Sequence, residues 1–482
     1  MSKYAKQRQQ RQRGKIAHQV KGISRSFLDG DITVMERLLS ARKVQEAVVA
    51  EGLKYRDRLF PPLVTLWMFL LQVLDANGSC RAAVMRHIAW LSACGPASRM
   101  PRGAGTGPYC KARQRLSQNL VSGLLRQSGQ ALQRQTSALA KTILGSRPIK
   151  LIDGSVCSMS DTPANQKQWP QPSTQKPGLG FPMVRLVVII SLNCAAVLDV
   201  AIGAYAGKQQ GESSLFRTLL GSLEAGDIAL ADRYYTSYWM IGLLLERGVD
   251  CVFRQHQFRR IDFRSGRSLG KDDHIITLTK PTQRPKWMDL ATYQRLAQSL
   301  EVREVRVRVY QRGFRVQSLV VVTTLLNANV YSREEIAEAY RQRWHAELDL
   351  RAIKQTMGMD VLRCKTPAMV QKEIWMHLLA YNLIRTLMAQ AAQSAEIQPR
   401  EVSFAGAVQA INAFAPVLQG VAPDHVPEVW EVLLWTIASY RVGNRPGRYE
   451  PRAVKRRPKP LALMTVPRQQ ARNQLARRAI AA

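Results

Sequence analysis

Apolar residues recur at three-to-four spacing through Val34 to Leu39, Leu63 to Leu74, Ala82 to Leu91 and Leu116 to Leu132, the period of helices that bury one face. These segments predict an all-helical N-terminal domain over 31–146. From about residue 147 the pattern changes. Ile149 to Ile152, Met183 to Ser191 and Ala195 to Ile202 read as strands, Ser213 to Leu223 as a helix, Ile228 to Ala231 as a short buried strand and Ser237 to Arg247 as another helix. Three strands followed by alternating helix and strand describe an α/β core, assigned to 147–253 and 328–395. Between them, over 254–327, Arg303 to Val309 alternates polar and apolar, and Arg312-Gly313 separates it from Val316 to Thr323. That is a hairpin signal, so a β-rich insertion is expected. Ser332 and Glu335 form a capping-box signature for a long helix running to about Met357 and stopped by Gly358. Residues 396–482 are expected to form a helical region with a basic tail.

Charge adds a partner to this outline. The 482 residues carry 70 Lys+Arg against 35 Asp+Glu, a net charge of +35, which calls for a polyanion, nucleic acid first. A membrane is the competing explanation, but the longest apolar runs are about half the ~20 residues of a spanning helix. No acidic residue precedes Asp29, so 1–30 reads as a basic arm, and the tail from Arg445 to Arg478 mirrors it; such segments serve as solubilising tails or as phosphate-tracking arms. Lys111, Arg113 and Arg115 start a helix after the breaker-rich Pro101 to Pro108, a placement suited to DNA contact. The N-terminus has no apolar h-region, which points to a cytoplasmic, nucleoid-associated protein. Seven cysteines without a C-x-x-C pair, and histidines without ligand spacing, support neither a disulfide scaffold nor a zinc finger.

The chemistry lies in three carboxylates. Asp153 closes the strand Lys150-Leu-Ile-Asp before a Gly154-Ser155 turn, and Asp232 closes Ile228-Ala-Leu-Ala before Arg233. Two aspartates leaving apolar strands are costly neighbours unless a positive charge stands between them, and a divalent metal meets that need. On the long helix Tyr340, Arg343, Glu347, Arg351 and Lys354 share one face. Arg343 with Glu347 and Glu347 with Arg351 also make ordinary i,i+4 pairs.

Tyr340-x2-Arg343-x3-Glu347-x6-Lys354 resembles the Y-R-E-K signature of the insertion-sequence-4 family of bacterial DDE transposases. Ile152-Asp-Gly-Ser155, Ala231-Asp-Arg-Tyr-Tyr235, Val321-Val-Thr-Thr-Leu325, Lys365-Thr-Pro and Ala380-Tyr-Asn-Leu-Ile-Arg385 are similar to that family too, over about Ile149 to Arg385. Ser155 departs from it, standing where many relatives have Thr. The resemblance implies an RNase H-like core interrupted by a β-rich insertion. It also implies Asp153, Asp232 and Glu347 as catalytic metal ligands for Mg²⁺, with Mn²⁺ as substitute and two ions per site. Tyr340, Arg343 and Lys354 would meet DNA phosphates, with Arg351 and Arg233 beside them. Trp287 and Trp344 are candidates to stack on a flipped base where relatives pass through a hairpin intermediate. The implied substrate is double-stranded DNA at the element's terminal inverted repeats, joined to target DNA by a homodimer through excision and strand transfer. Two other readings stay open: a catalytically silent DNA-binding descendant, and a metal-dependent nuclease that cuts without joining.

Overall fold

The computed structural model describes residues 39, 41–52, 55, 59–75, 77–94, 103–139, 143–308, 318–443 and 463–481; the expected basic arm and most of the helix expected at Val34 to Leu39 lie outside them. The N-terminal part is helical: α1 (Ala41–Ala50), α2 (Pro62–Leu74), α3 (Cys80–Cys94), α4 (Gly107–Arg115) and α5 (Gln118–Gln135). Then come β1 (Ile149–Met159), α6 (Pro163–Gln168), β2 (Met183–Ser191), β3 (Val197–Ala204), α7 (Glu212–Leu219), β4 (Ile228–Ala231), α8 (Tyr238–Leu245) and β5 (Asp250–Arg254). The next stretch holds β6 (Arg267–Gly270), β7 (Asp273–Thr279), α9 (Leu290–Arg295), β8 (Ser299–Arg308) and β9 (Ser318–Thr323). It is followed by α10 (Arg333–Arg341), α11 (Trp344–Arg351), β10 (Val361–Leu362), α12 (Pro367–Ser394), α13 (Phe404–Gly420), α14 (Val426–Ser439) and, in the expected tail, α15 (Arg468–Ala481).

One mixed sheet organises the chain, in the order β3-β2-β1-β4-β5-β9-β8-β7-β6, with β10 paired to β1 off this path. β1 runs antiparallel to β2 and parallel to β4, which is parallel to β5. This is the RNase H-like α/β core expected from the sequence. The β-rich segment does not stand apart from it: β9 pairs with β5, and β8, β7 and β6 extend the same sheet. The expected hairpin is present as β8 and β9, in continuous antiparallel register.

Each face of the sheet is covered. Leu215, Phe216, Ile241 and Leu244 of α7 and α8 cover one face with Ile152 and Val187 beneath them. On the other, Leu151 and Cys157 of β1 join Leu350 and Ile353, the α12 residues Ile374 to Leu387, and the N-terminal Leu66 and Leu124. One apolar cluster therefore runs from the helical region into the catalytic sheet. α12 is almost wholly buried, yet it carries Lys372, Glu373, His377, Asn382 and Arg385. Among the described residues no helix is long and apolar enough to cross a membrane.

Three expectations are corrected. Gly154-Ser155 is not a turn: β1 continues to Met159 because its outer half stays paired with β2, from Asp153 opposite Val188 to Ser158 opposite Met183. The long helix is two segments, α10 and α11, separated at Gln342-Arg343, and it closes in a π-helical turn at Ala352–Thr356 before Gly358 at φ 70°. The capping box of Ser332 and Glu335 is formed as expected.

The third correction concerns Arg113. It falls on the buried stripe of α4 with Tyr109 and Ala112, and its guanidinium donates to Gln72 Oε1 (3.2 Å) and Cys80 Sγ (3.1 Å) under the Phe69 ring. A cation used this way cannot reach DNA, whereas Lys111 and Arg115 on the opposite face are exposed. Arg113→Ala should therefore cost stability, about 2–4 kcal/mol from the lost packing and unpaired polar partners, and leave DNA affinity unchanged. Urea unfolding beside a gel-shift titration checks this; weakened binding at unchanged stability would reverse the assignment.

Candidate active site

Parallel pairing of β1 with β4 brings the two aspartates together. Ile152 lies opposite Ala231, the last residue of β4, so Asp153 and Asp232 follow side by side on neighbouring strands, where strand spacing is about 4.8 Å. β10 pairs with β1 only at Ser158 and Met159. Among the described residues Asp153 to Cys157 thus have no strand neighbour on that edge, and the sheet has a gap there where carboxylates can converge. Side-chain alternation along β1 turns Asp153 to the face of Leu151, against which α11 packs. α11 brings Glu347 to the same place.

Asp153, Glu347, Arg351 and Lys354 line one open cavity of about 250 Å³. The π-helical turn carries Lys354 into that lining, a distortion that recurs at functional sites. Arg343 stands among all three acids: its Nη2 donates to Glu347 Oε1 at 2.8 Å, and its charge is felt by Asp153 and Asp232. Tyr340 is buried against Arg343, and that burial pushes its phenol well above the usual range.

Asp153 is pushed up to about 6, chiefly by burial; Arg343 and the Gly154 N–H, which donates to Oδ1 at 2.9 Å, pull it back, and Glu347 and Glu212 push it further up. Asp232 Oδ1 is buried with no hydrogen-bond partner among the described residues. An orphaned carboxylate oxygen is expensive unless a cation takes it. The donor set of hard carboxylate oxygens suits a divalent ion such as Mg²⁺. Among the described residues no three acid, His or Cys side chains are already drawn together around an ion position. Arg343 supplies the local positive charge instead.

The remaining candidates separate. Arg233 donates to Gln257 Oε1 (2.5 Å) and stacks on Tyr234 beside Asp232. Trp287 is half-buried, with the Arg217 guanidinium 3.9 Å from its ring centroid, so its face is already occupied. Trp344 is exposed on α11. Sequence reasoning missed Asp349, fully buried two residues beyond Glu347, which accepts from Arg385 (2.8 Å) and Arg400 (3.0 Å) and fixes α11 to the core. It also missed Glu212. Only the alternation of charged residues along α11 hinted at the first, and an acid in the first turn of a helix gave no signal for the second.

Residues 144–383 match the family described as Transposase DDE domain. The chain is 29% identical over 362 residues to Transposase InsG for insertion sequence element IS4 of Escherichia coli K12, covering 72% of this chain and 76% of that protein. It is 24% identical over 375 residues to the probable transposase for insertion sequence element IS5377 of Geobacillus stearothermophilus, covering 77% and 88%. The cryo-EM structure of a piggyBac transposase synaptic complex with hairpin DNA aligns over 86% of each chain, at 9% identity and a TM-score of 0.39.

Proposed function

Because this chain belongs to the insertion-sequence-4 family of DDE transposases, enzymes of metal-dependent DNA cleavage and strand transfer, we propose that Asp153, Asp232 and Glu347 hold its divalent metal and that it excises and reinserts its own element. The gap in the sheet between Ala231 and Ser158, where Asp153 and Glu347 line one cavity and Asp232 Oδ1 has no hydrogen-bond partner among the described residues, is the observation that carries this reading.

Asp153, Asp232 and Glu347 would hold the metal, two Mg²⁺ ions per site, and Mn²⁺ would substitute. Such ions, when bound, would supply an activated oxygen nucleophile, a stabilised leaving oxygen and neutralisation of the phosphate. The chain's own part is positioning. Arg351 and Lys354, on the rim of the cavity, hold the phosphate backbone over Asp153 and Glu347. Arg343, oriented by buried Tyr340, balances the acids in the DNA-free protein and offers its guanidinium to the scissile strand. Lys111 and Arg115 on the exposed face of α4 extend the positive surface. The substrate is double-stranded DNA at terminal inverted repeats, and pairing two ends requires a second copy of the chain.

The test uses a labelled duplex bearing the gene's own flanks, incubated in Mg²⁺, Mn²⁺ or chelator. Cuts at the element boundaries and joined products are expected with either metal and not with chelator. Binding without cutting under any metal would leave a silent DNA-binding descendant, and cutting without joining would leave a nuclease.

A further inference from the structure

Glu212 opens α7 as its first residue, after Gly211. An acid in a first turn ordinarily faces solvent and interacts with the helix dipole. Glu212 instead folds over β1. A Cβ placed on Gly154 would stand 2.4 Å from its Cδ and 2.5 Å from its Oε1, so the carboxylate occupies the space that the missing side chain leaves on the α7 face of β1, one residue along from Asp153. Its other oxygen, Oε2, accepts from Tyr235 Oη at 3.5 Å. Tyr235 belongs to the turn that Asp232 begins, is fully buried, and packs edge-on against Phe216 of α7. One short chain of contacts therefore joins Glu212 to both aspartates.

The electrostatics agree with that placement. Glu212 is raised by burial first and also by Asp232, with Arg185 and the Tyr235 hydroxyl pulling it back, and Asp153 is raised in part by Glu212. Among the described residues Glu212 has no ion-pair partner within 4 Å; Arg185 is turned to the Gln210 carbonyl and stacked on Tyr205. Glu347 approaches the gap from the face of α11, and Glu212 from the face of α7. Four acids thus approach the open edge of β1; Arg343 is bonded to Glu347 and acts on Asp153 and Asp232, while Arg185 is the cation that acts on Glu212.

We propose that Glu212 is a fourth acid of the active site, supplying a further oxygen acceptor and negative charge to the divalent ion beside Asp153 and Asp232. The inference rests on the reading of that site as metal-binding. It also gives the glycine after Asp153 a role: a Cβ there would displace the Glu212 carboxylate.

Calorimetric titration of Mn²⁺ into the full-length, DNA-free protein tests it without any measure of turnover. Glu212→Gln, which keeps shape and the Tyr235 contact, should weaken Mn²⁺ binding about tenfold, and its cleavage should recover as Mn²⁺ is raised. Gly154→Ala should weaken binding in the same direction with every carboxylate still present, and it decides the question if Glu212→Gln fails to fold. Asp153→Asn should lose binding altogether. Wild-type affinity in both Glu212→Gln and Gly154→Ala, with binding lost in Asp153→Asn, overturns the fourth acid and leaves the metal site standing. Wild-type affinity in Asp153→Asn as well overturns both.

Discussion

Asp153→Asn should cut element ends at least ~10³-fold more slowly than the wild type, the loss expected when several kcal/mol of metal-borne stabilisation is withdrawn, and should nonetheless be the more stable protein when metal is absent. Burial, opposed by Arg343 and the Gly154 N–H and reinforced by Glu347 and Glu212, holds the folded carboxyl at about 6 against 3.8 for the free group. A folded pKa above the unfolded one means that stability is fully present below the unfolded value and declines as pH rises through the folded value. Above that range the ionised carboxylate costs the fold about 3 kcal/mol. Asparagine never ionises, so the variant should gain roughly that amount at about pH 8 and almost nothing at about pH 3, below the unfolded value. Divalent metal reverses the order, because it binds and stabilises only the wild type. Urea unfolding of both proteins at the two pH values, in chelator and then in Mn²⁺, reads every part of this. A wild type that is the more stable protein at the higher pH in chelator, or an asparagine variant that cuts at the normal rate, would sink the assignment of Asp153.

Much of this fold could be read from local pattern because its strands are strongly apolar and its helix caps are chemically explicit. The runs Met183 to Ser191 and Ile228 to Ala231 became β2 and β4 as read, and Ser332 with Glu335 formed the capping box. The misses share one cause: they are settled by partners distant in sequence. Asp153-Gly154-Ser155 has the composition of a turn, and only its pairing with Leu186 to Val188 on β2 keeps it extended. No glycine or proline marks the separation of α10 from α11; Arg343, at the break, is engaged by acids from three elements. The β-rich segment was legible because its hairpin is local; that β9 pairs with β5 and so continues the core sheet is a long-range contact no local pattern shows. Arg113 looked like a DNA contact because Phe69, Gln72 and Cys80, which bury it, come from other helices. Glu347 was a candidate from its spacing, but Glu212 was not, since nothing near Gly211 indicates that the chain will fold across Gly154.

Asp349→Ala should destabilise the protein by about 3–5 kcal/mol, the penalty for removing one member of a buried ionic cluster and leaving its partners charged. Asp349 is 1% exposed and accepts from two guanidinium groups: Arg385 Nη2 at 2.8 Å, and Arg400 Nη2 at 3.0 Å with Nη1 at 3.3 Å. Arg385 is buried and Arg400 largely so. Arg385 lies within 5.1 Å of the ring centroids of Tyr381 and Phe404 and donates to the Tyr381 hydroxyl, and Arg400 is tied to the Ser191 carbonyl at the end of β2. The cluster therefore joins α11, α12, the turn after α12 and the sheet at one point, on the side of α11 opposite the cavity. Glu347 is two residues away, and its aim toward Asp153 depends on that anchor. Asp349→Asn keeps the shape and half of the hydrogen bonds, so it should lose less stability than alanine, and Mn²⁺ affinity should fall in the same order because the acids are misaligned rather than removed. Denaturant midpoints and Mn²⁺ titrations on the two variants decide the matter. A loss below ~1 kcal/mol for alanine would mean that the arginines find other partners, and full stability loss with undiminished Mn²⁺ affinity would separate the anchor from the aim of Glu347.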